Sequence, residues 1–93
     1  MSSKKKNKLP KWFDGFHYSE GDTVTNPFSG ESFYLDRTEL SIYDFIKGAE
    51  HIFGMHQETQ PNKELNPQIL KDFDKALDWF RKNNAKAYMI LLD

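Results

Sequence analysis

Cysteine is absent from the 93 residues. That excludes a disulfide framework and thiolate metal sites, and it fits a reducing compartment without requiring one. Long apolar runs are missing too: none approaches the ~18 residues of a membrane span. The first residues are charged and lack the apolar centre of a signal peptide, so the expected setting is the cytoplasm. Apolar residues make up only 38% of the chain, yet aromatics reach 15%. A core built from a few large rings, in one modest domain, follows from that balance.

Charge of one sign is unevenly shared. Five of the 13 basic residues (Lys4, Lys5, Lys6, Lys8, Lys11) fall within residues 1–11, while all 14 acids come later, leaving the rest at a formal −6. An even basic field over a folded body, as a duplex-binding domain would carry, is missing. Residues 1–10 have no periodicity and read as a flexible basic tail, with residues 11–93 as a single globular domain. A lysine run attracts phosphates, so the tail offers a nucleic-acid contact. It also serves plain solubility, and no arginine in it reads bases.

The strongest periodic signal is NPQILKDFDKALDWFRK, residues 66–82. Asn66 is a good N-cap and Pro67 suits the first helical position. Ile69, Leu70, Phe73, Ala76, Leu77 and Phe80 recur at spacings of three and four, which places them on one stripe. Asp78 and Lys82 are spaced for an ion pair, and Asn83 and Asn84 tolerate the left-handed conformation that ends helices. Trp79 sits at the stripe's edge, either as a boundary core residue or as an interface anchor. A lone helix of this length is marginal in water, so the stripe needs a partner. Residues 38–53, TELSIYDFIKGAEHIF, supply one. Thr38 serves as N-cap, Ile42, Phe45, Ile46, Ala49, Ile52 and Phe53 form the stripe, and Gly54 ends it. Gly48 weakens this helix by about 1 kcal/mol against alanine and leaves room for another element to approach.

Before the helices come two further segments. In KWFDGFHYSEG, residues 11–21, Trp12, Phe13, Phe16 and Tyr18 crowd around an Asp-Gly turn signal. This reads as an irregular aromatic arm laid over the core, or as an exposed patch that docks a partner. Residues 22–36 read as a β-hairpin, with Thr23-Val24-Thr25 and Ser32-Phe33-Tyr34-Leu35 as strands and Gly30 as a left-handed position in the loop. Phe28 at the tip is expected to tuck back onto the sheet, the alternative being presentation to a ligand. Residues 54–65 form a polar connection. The terminal NAKAYMILLD reads as a short helix capped by Asn84, or as a buried strand.

No catalytic set emerges. There is no GxSxG elbow, no HExxH, no P-loop and no calcium loop. His51 and His56 are five apart, not the four that aligns ligands on one helix face. His17 near Asp14 and Tyr18 is close only in sequence. Asp72, Asp74 and Asp78 alternate with lysines as a solvated face does. No metal and no cofactor is expected.

The phrases VTNPFSGE (Val24–Glu31), YDFIKGAE (Tyr43–Glu50) and ALDWFRKNNAKAYMILLD (Ala76–Asp93) resemble small uncharacterised proteins encoded by tailed bacteriophages, especially aquatic ones. The likeness covers residues 22–93 and implies a viral origin and the host bacterial cytoplasm. It brings no activity, cofactor or site.

These readings converge on an α+β fold: an N-terminal aromatic arm and β-hairpin packed on two antiparallel helices, with a short C-terminal helix (or strand). The functional expectation is a non-enzymatic protein-binding module, phage-encoded, acting on a host protein or in phage assembly, with Trp12, Phe13, Phe16, Phe28 and Trp79 as binding residues. Homodimerisation stays open. The alternative is a nucleic-acid accessory protein using Lys4, Lys5, Lys6, Lys8 and Lys11.

Overall fold

A computed structural model describes residues 9–13, 15–59 and 66–92. The hairpin comes first, as β1 (Asp22–Thr25) and β2 (Ser32–Leu35), antiparallel and in register from Asp22 opposite Leu35 to Thr25 opposite Ser32. The period of two sorts its faces. Val24, Phe33 and Leu35 turn toward the core, while Thr23, Tyr34, Thr25 and Ser32 face out. On the outer face the Thr25 and Ser32 hydroxyls bond each other at 2.7 Å.

Helix α1 (Arg37–Thr59) begins one residue after β2. Its cap is Asp36, not Thr38. The Asp36 carboxylate accepts from the Glu39 N–H at 2.8 Å, and the Glu39 carboxylate accepts from the Asp36 N–H at 3.0 Å. This is a reciprocal capping box with aspartate in the first position. The helix also outlasts its expected end. It runs through Gly54 to Thr59, so part of the segment read as a connection is helical. Glycine at an interior position costs about 1 kcal/mol, which a helix already held by packing absorbs. The remainder of that connection lies outside the described residues.

Helix α2 (Pro67–Asn83) starts as its sequence dictates: the Asn66 side chain accepts from the Gln68 N–H at 2.8 Å and Pro67 occupies the first turn. The Asp78–Lys82 ion pair forms at 3.0 Å on the exposed face. Asn84 ends α2, yet not by a left-handed turn. Its φ of −154° is extended, and its N–H still reaches the Phe80 carbonyl at 2.8 Å. The same residue caps the next element by accepting from the Ala87 N–H at 3.2 Å. That element, α3, is a helical turn at Ala85–Ala87 that widens into a π-turn over Tyr88–Leu92. The C-terminal apolar run is therefore helix rather than strand.

The two long helices are antiparallel. Phe53 meets Phe73 edge to face at 5.1 Å near one end of the pair, and Glu39 meets Asn84 near the other. Leu35, Ile42, Ile46, Ala76, Phe80 and Ala87 have no solvent exposure, and Leu91 and Phe13 are nearly as buried. Each large side chain so buried contributes about 1.5–3 kcal/mol. One core thus joins the hairpin, all three helices and the arm. No helix among the described residues is long and apolar enough to cross a membrane.

Two of the stripe residues depart from expectation. Leu70 and Ile52 are 43% and 45% exposed. Both lie toward the Phe53–Phe73 end of the helix pair, away from the Glu39–Asn84 end.

Candidate functional site: an apolar groove and a presented loop

The aromatic arm divides its rings between core and surface. Phe13 is buried and meets the Phe45 ring edge to face at 6.0 Å, and Trp12 packs partly buried beside it. Gly15 passes so close over the Phe13 ring that an added Cβ would stand 2.8 Å from it. Beyond that glycine the chain turns outward. Phe16 is 68% exposed and stacks edge to face on Tyr18 at 4.8 Å. One hydrogen bond fastens this stretch to α1, the Tyr18 N–H donating to Ser41 Oγ at 2.9 Å, and the Tyr18 hydroxyl faces the Asp44 carboxylate. Burial, and then the Asp44 charge, push the Tyr18 pKa above its ordinary 10.0.

Between arm, α1 and α2 lies a groove of about 230 Å³, lined mainly by Phe16, Phe45, Gly48, Ile52 and Ile69, with Asp44 on its rim. The lining is largely apolar. The nearby Lys47 is paired with Glu50 at 3.0 Å, and no cation pairs with Asp44 among the described residues. Gly48 forms part of the wall. A Cβ there would meet nothing within 4 Å, so the fold gives no packing reason for a residue that costs an interior helix about 1 kcal/mol. Gly54 has the same open surroundings without lining the groove, and nothing in the structure explains it.

The hairpin loop is the second feature. Phe28 does not tuck onto the sheet; it is 95% exposed. The reason is the hydrogen bonding of Asn26. Its N–H reaches the Glu31 carbonyl and its carbonyl accepts from Gly30, both at 2.8 Å. Its side-chain oxygen accepts from the Phe28 N–H at 2.8 Å, an Asx-turn, and its amide donates to the Ile90 carbonyl at 2.9 Å. Ser29 Oγ accepts from the Glu31 N–H at 3.1 Å, and Gly30 takes φ +80°. The loop is thereby bound to itself and to α3, and Phe28 projects from its tip.

Of the residues read as binding candidates, the structure brings Phe16 into the groove and leaves Phe28 on the loop. Phe13 is buried, and Trp12 and Trp79 are partly buried against the core, Trp79 meeting Phe80 edge to face at 5.4 Å. Lys11 is exposed; Lys4, Lys5, Lys6 and Lys8 lie outside the described residues. Asp44, Phe45, Ile52 and Ile69 were not legible as site residues, since each reads as an ordinary position of a helix; only Gly48 stood out. His17 is exposed with its ring 5.6 Å from Phe13. Among the described residues, no three metal-ligating side chains converge. His56 buries its Nε2 without a hydrogen-bond partner among those residues.

Comparison with family models, curated proteins and solved structures finds no match to this chain.

Proposed function

We propose that the protein is a non-enzymatic binding module that docks on another protein through its hairpin loop, with Phe28 as the anchor. The observation that carries this reading is a phenylalanine 95% exposed on a loop held by five hydrogen bonds. Single exposed apolar residues are common and need no explanation. A ring carried at nearly full exposure on an ordered loop backbone is different, because the ordering cost of the loop is already met before a partner arrives. Aromatic anchors of this kind carry much of the energy of protein interfaces. The likeness to tailed-phage proteins favours a bacterial host protein or a phage structural protein as partner.

The test is affinity capture from bacterial and infected-cell lysate with the wild type and with Phe28→Ser. A partner held by the wild type should bind the variant about 30-fold or more weakly, as the loss of a hot spot of about 2 kcal/mol requires. The melting temperature should stay put, since the ring contributes little to the fold. Equal retention by both proteins, or nothing specific on either, refutes the reading.

A second reading rests on the charge asymmetry. Five lysines without an acid precede residue 12, and a nucleic-acid role for them predicts binding to DNA or RNA that falls steeply with salt and disappears when residues 2–8 are deleted.

A further inference from the structure

We infer that the groove between the arm and the helix pair takes up a segment of another protein that carries one large apolar side chain beside a lysine or arginine. The site shares no residue with the Asn26–Glu31 loop, so it stands or falls apart from the loop reading.

Three observations select this occupant. Size comes first. The groove holds about 230 Å³, and an apolar cavity of about 150 Å³ is enough for a benzene ring, so one aromatic or branched side chain fits and two do not. Approach comes second. Gly48 is the only wall position where α1 offers no side chain at all, and open space surrounds its missing Cβ. A backbone laid over α1 at that point meets no obstacle. Charge comes third. Asp44 stands on the rim facing the Tyr18 hydroxyl and pairs with no cation among the described residues, while Lys47 and Glu50 neutralise each other. Over the whole chain the formal charge is −1, so the preference for a cation rests on Asp44 at the rim itself. Phe16, held against Tyr18, closes the groove on the arm side and supplies a ring edge to the incoming group.

The probe is a short synthetic peptide with one tryptophan flanked by lysines, added to the nitrogen-labelled full chain. Two matched peptides carry glutamates in place of the lysines, or serine in place of the tryptophan. The expected result is a set of chemical-shift changes centred on Gly15, Phe16, Asp44, Gly48 and Ile52. Binding of the lysine–tryptophan peptide should be at least about tenfold tighter than of either control, a difference of about 1.4 kcal/mol. Gly48→Leu fills the wall and should weaken binding by at least that factor. Because it replaces a helix-interior glycine with a good helix former in open space, the variant should fold. Asp44→Asn keeps an acceptor for Tyr18 and should erase the preference for lysine over glutamate. Phe28→Ser should bind the peptide as the wild type does.

Unchanged affinity in Gly48→Leu overturns the proposal, as do shifts lying outside the groove or equal binding of the glutamate peptide. So does a mass in solution that rises with concentration together with shifts at these residues before peptide is added, which would make a second copy of the chain the occupant.

Discussion

Removing the carboxylate of Glu39 should destabilise the protein far more than its place in an exposed-looking capping motif suggests. Glu39 is only 8% exposed. One oxygen accepts from the Asp36 N–H at 3.0 Å and completes the cap of α1; the other accepts from Asn84 Nδ2 at 2.9 Å, 45 residues along the chain. Asn84 is itself the joint between α2 and α3. A single carboxylate therefore ties the start of one long helix to the end of the other. Each hydrogen bond to a charged acceptor is worth about 1.5–3 kcal/mol. Desolvation of the buried carboxylate takes back part of that. Glu39→Ala should accordingly cost about 2–4 kcal/mol, a large share of the about 5–14 kcal/mol expected for a domain of this length. The melting temperature should fall by about 10–30 °C.

The assay is urea and thermal unfolding followed by circular dichroism on Glu39→Ala, Asn84→Ala and the double variant, with the exposed Glu31→Ala as control. The singles should couple by about 1 kcal/mol in the cycle, because each removes the same bond, while the control stays within about 0.5 kcal/mol of wild type. A Glu39→Ala loss below about 0.5 kcal/mol, or strict additivity with Asn84→Ala, would show that the Glu39–Asn84 contact does not hold the helix ends together.

The remaining predictions concern glycines and tyrosines. Gly48→Ala should stabilise the fold by up to about 1 kcal/mol in denaturant titration, whereas Gly21→Ala should destabilise it by about 1–3 kcal/mol, since a methyl there collides with the Leu35 carbonyl and the Tyr34 hydroxyl. Tyr18 and Tyr43 both sit above the ordinary value of 10.0, Tyr18 through burial and then Asp44, Tyr43 through burial against an opposing Lys47. The folded protein therefore keeps protons that the unfolded chain releases, so this contribution to stability is complete below pH 10.0 and is lost as pH rises through the folded values. Tyrosinate absorbance should show late titration for these two, and Asp44→Asn should bring Tyr18 down.

Local rules carried the reading as far as local forces decide. The α2 start was legible because Asn66, Pro67 and the stripe agree. The hairpin was legible because Val24, Phe33 and Leu35 alternate with polar neighbours around a loop containing Gly30. The departures come from competing local signals as well as from distant contacts. Thr38 looks like a cap, but Asp36 and Glu39 satisfy each other and take that role. Gly54 looks like a stop, but α1 continues past it. Phe28 should tuck by hydrophobicity alone. It does not, because Asn26 bonds Ile90, a partner 64 residues away that no local pattern announces. The groove was invisible for the same reason: its wall is assembled from the arm, the middle of α1 and the start of α2.

That division separates the positions the fold explains from those it leaves over. Gly15, Gly21 and Gly30 each answer to a close approach or a left-handed turn. Phe13 and Trp12 answer to the core. Phe28 and Gly48 answer to nothing inside the molecule, a ring that forgoes burial and a helix position that forgoes a side chain, and Phe16 stays 68% exposed with only the Tyr18 ring against it. Sequences that fold well agree with their structure at nearly every level, and the disagreements collect where something outside the fold is being served. Phe28 marks the loop tip and Gly48 the groove, while Gly54, Tyr34, Met55 and Met89 lie at neither. If Gly48→Ala raises stability and leaves peptide binding unimpaired, that inference fails at the groove, and the glycine joins Gly54 as a position no contact accounts for.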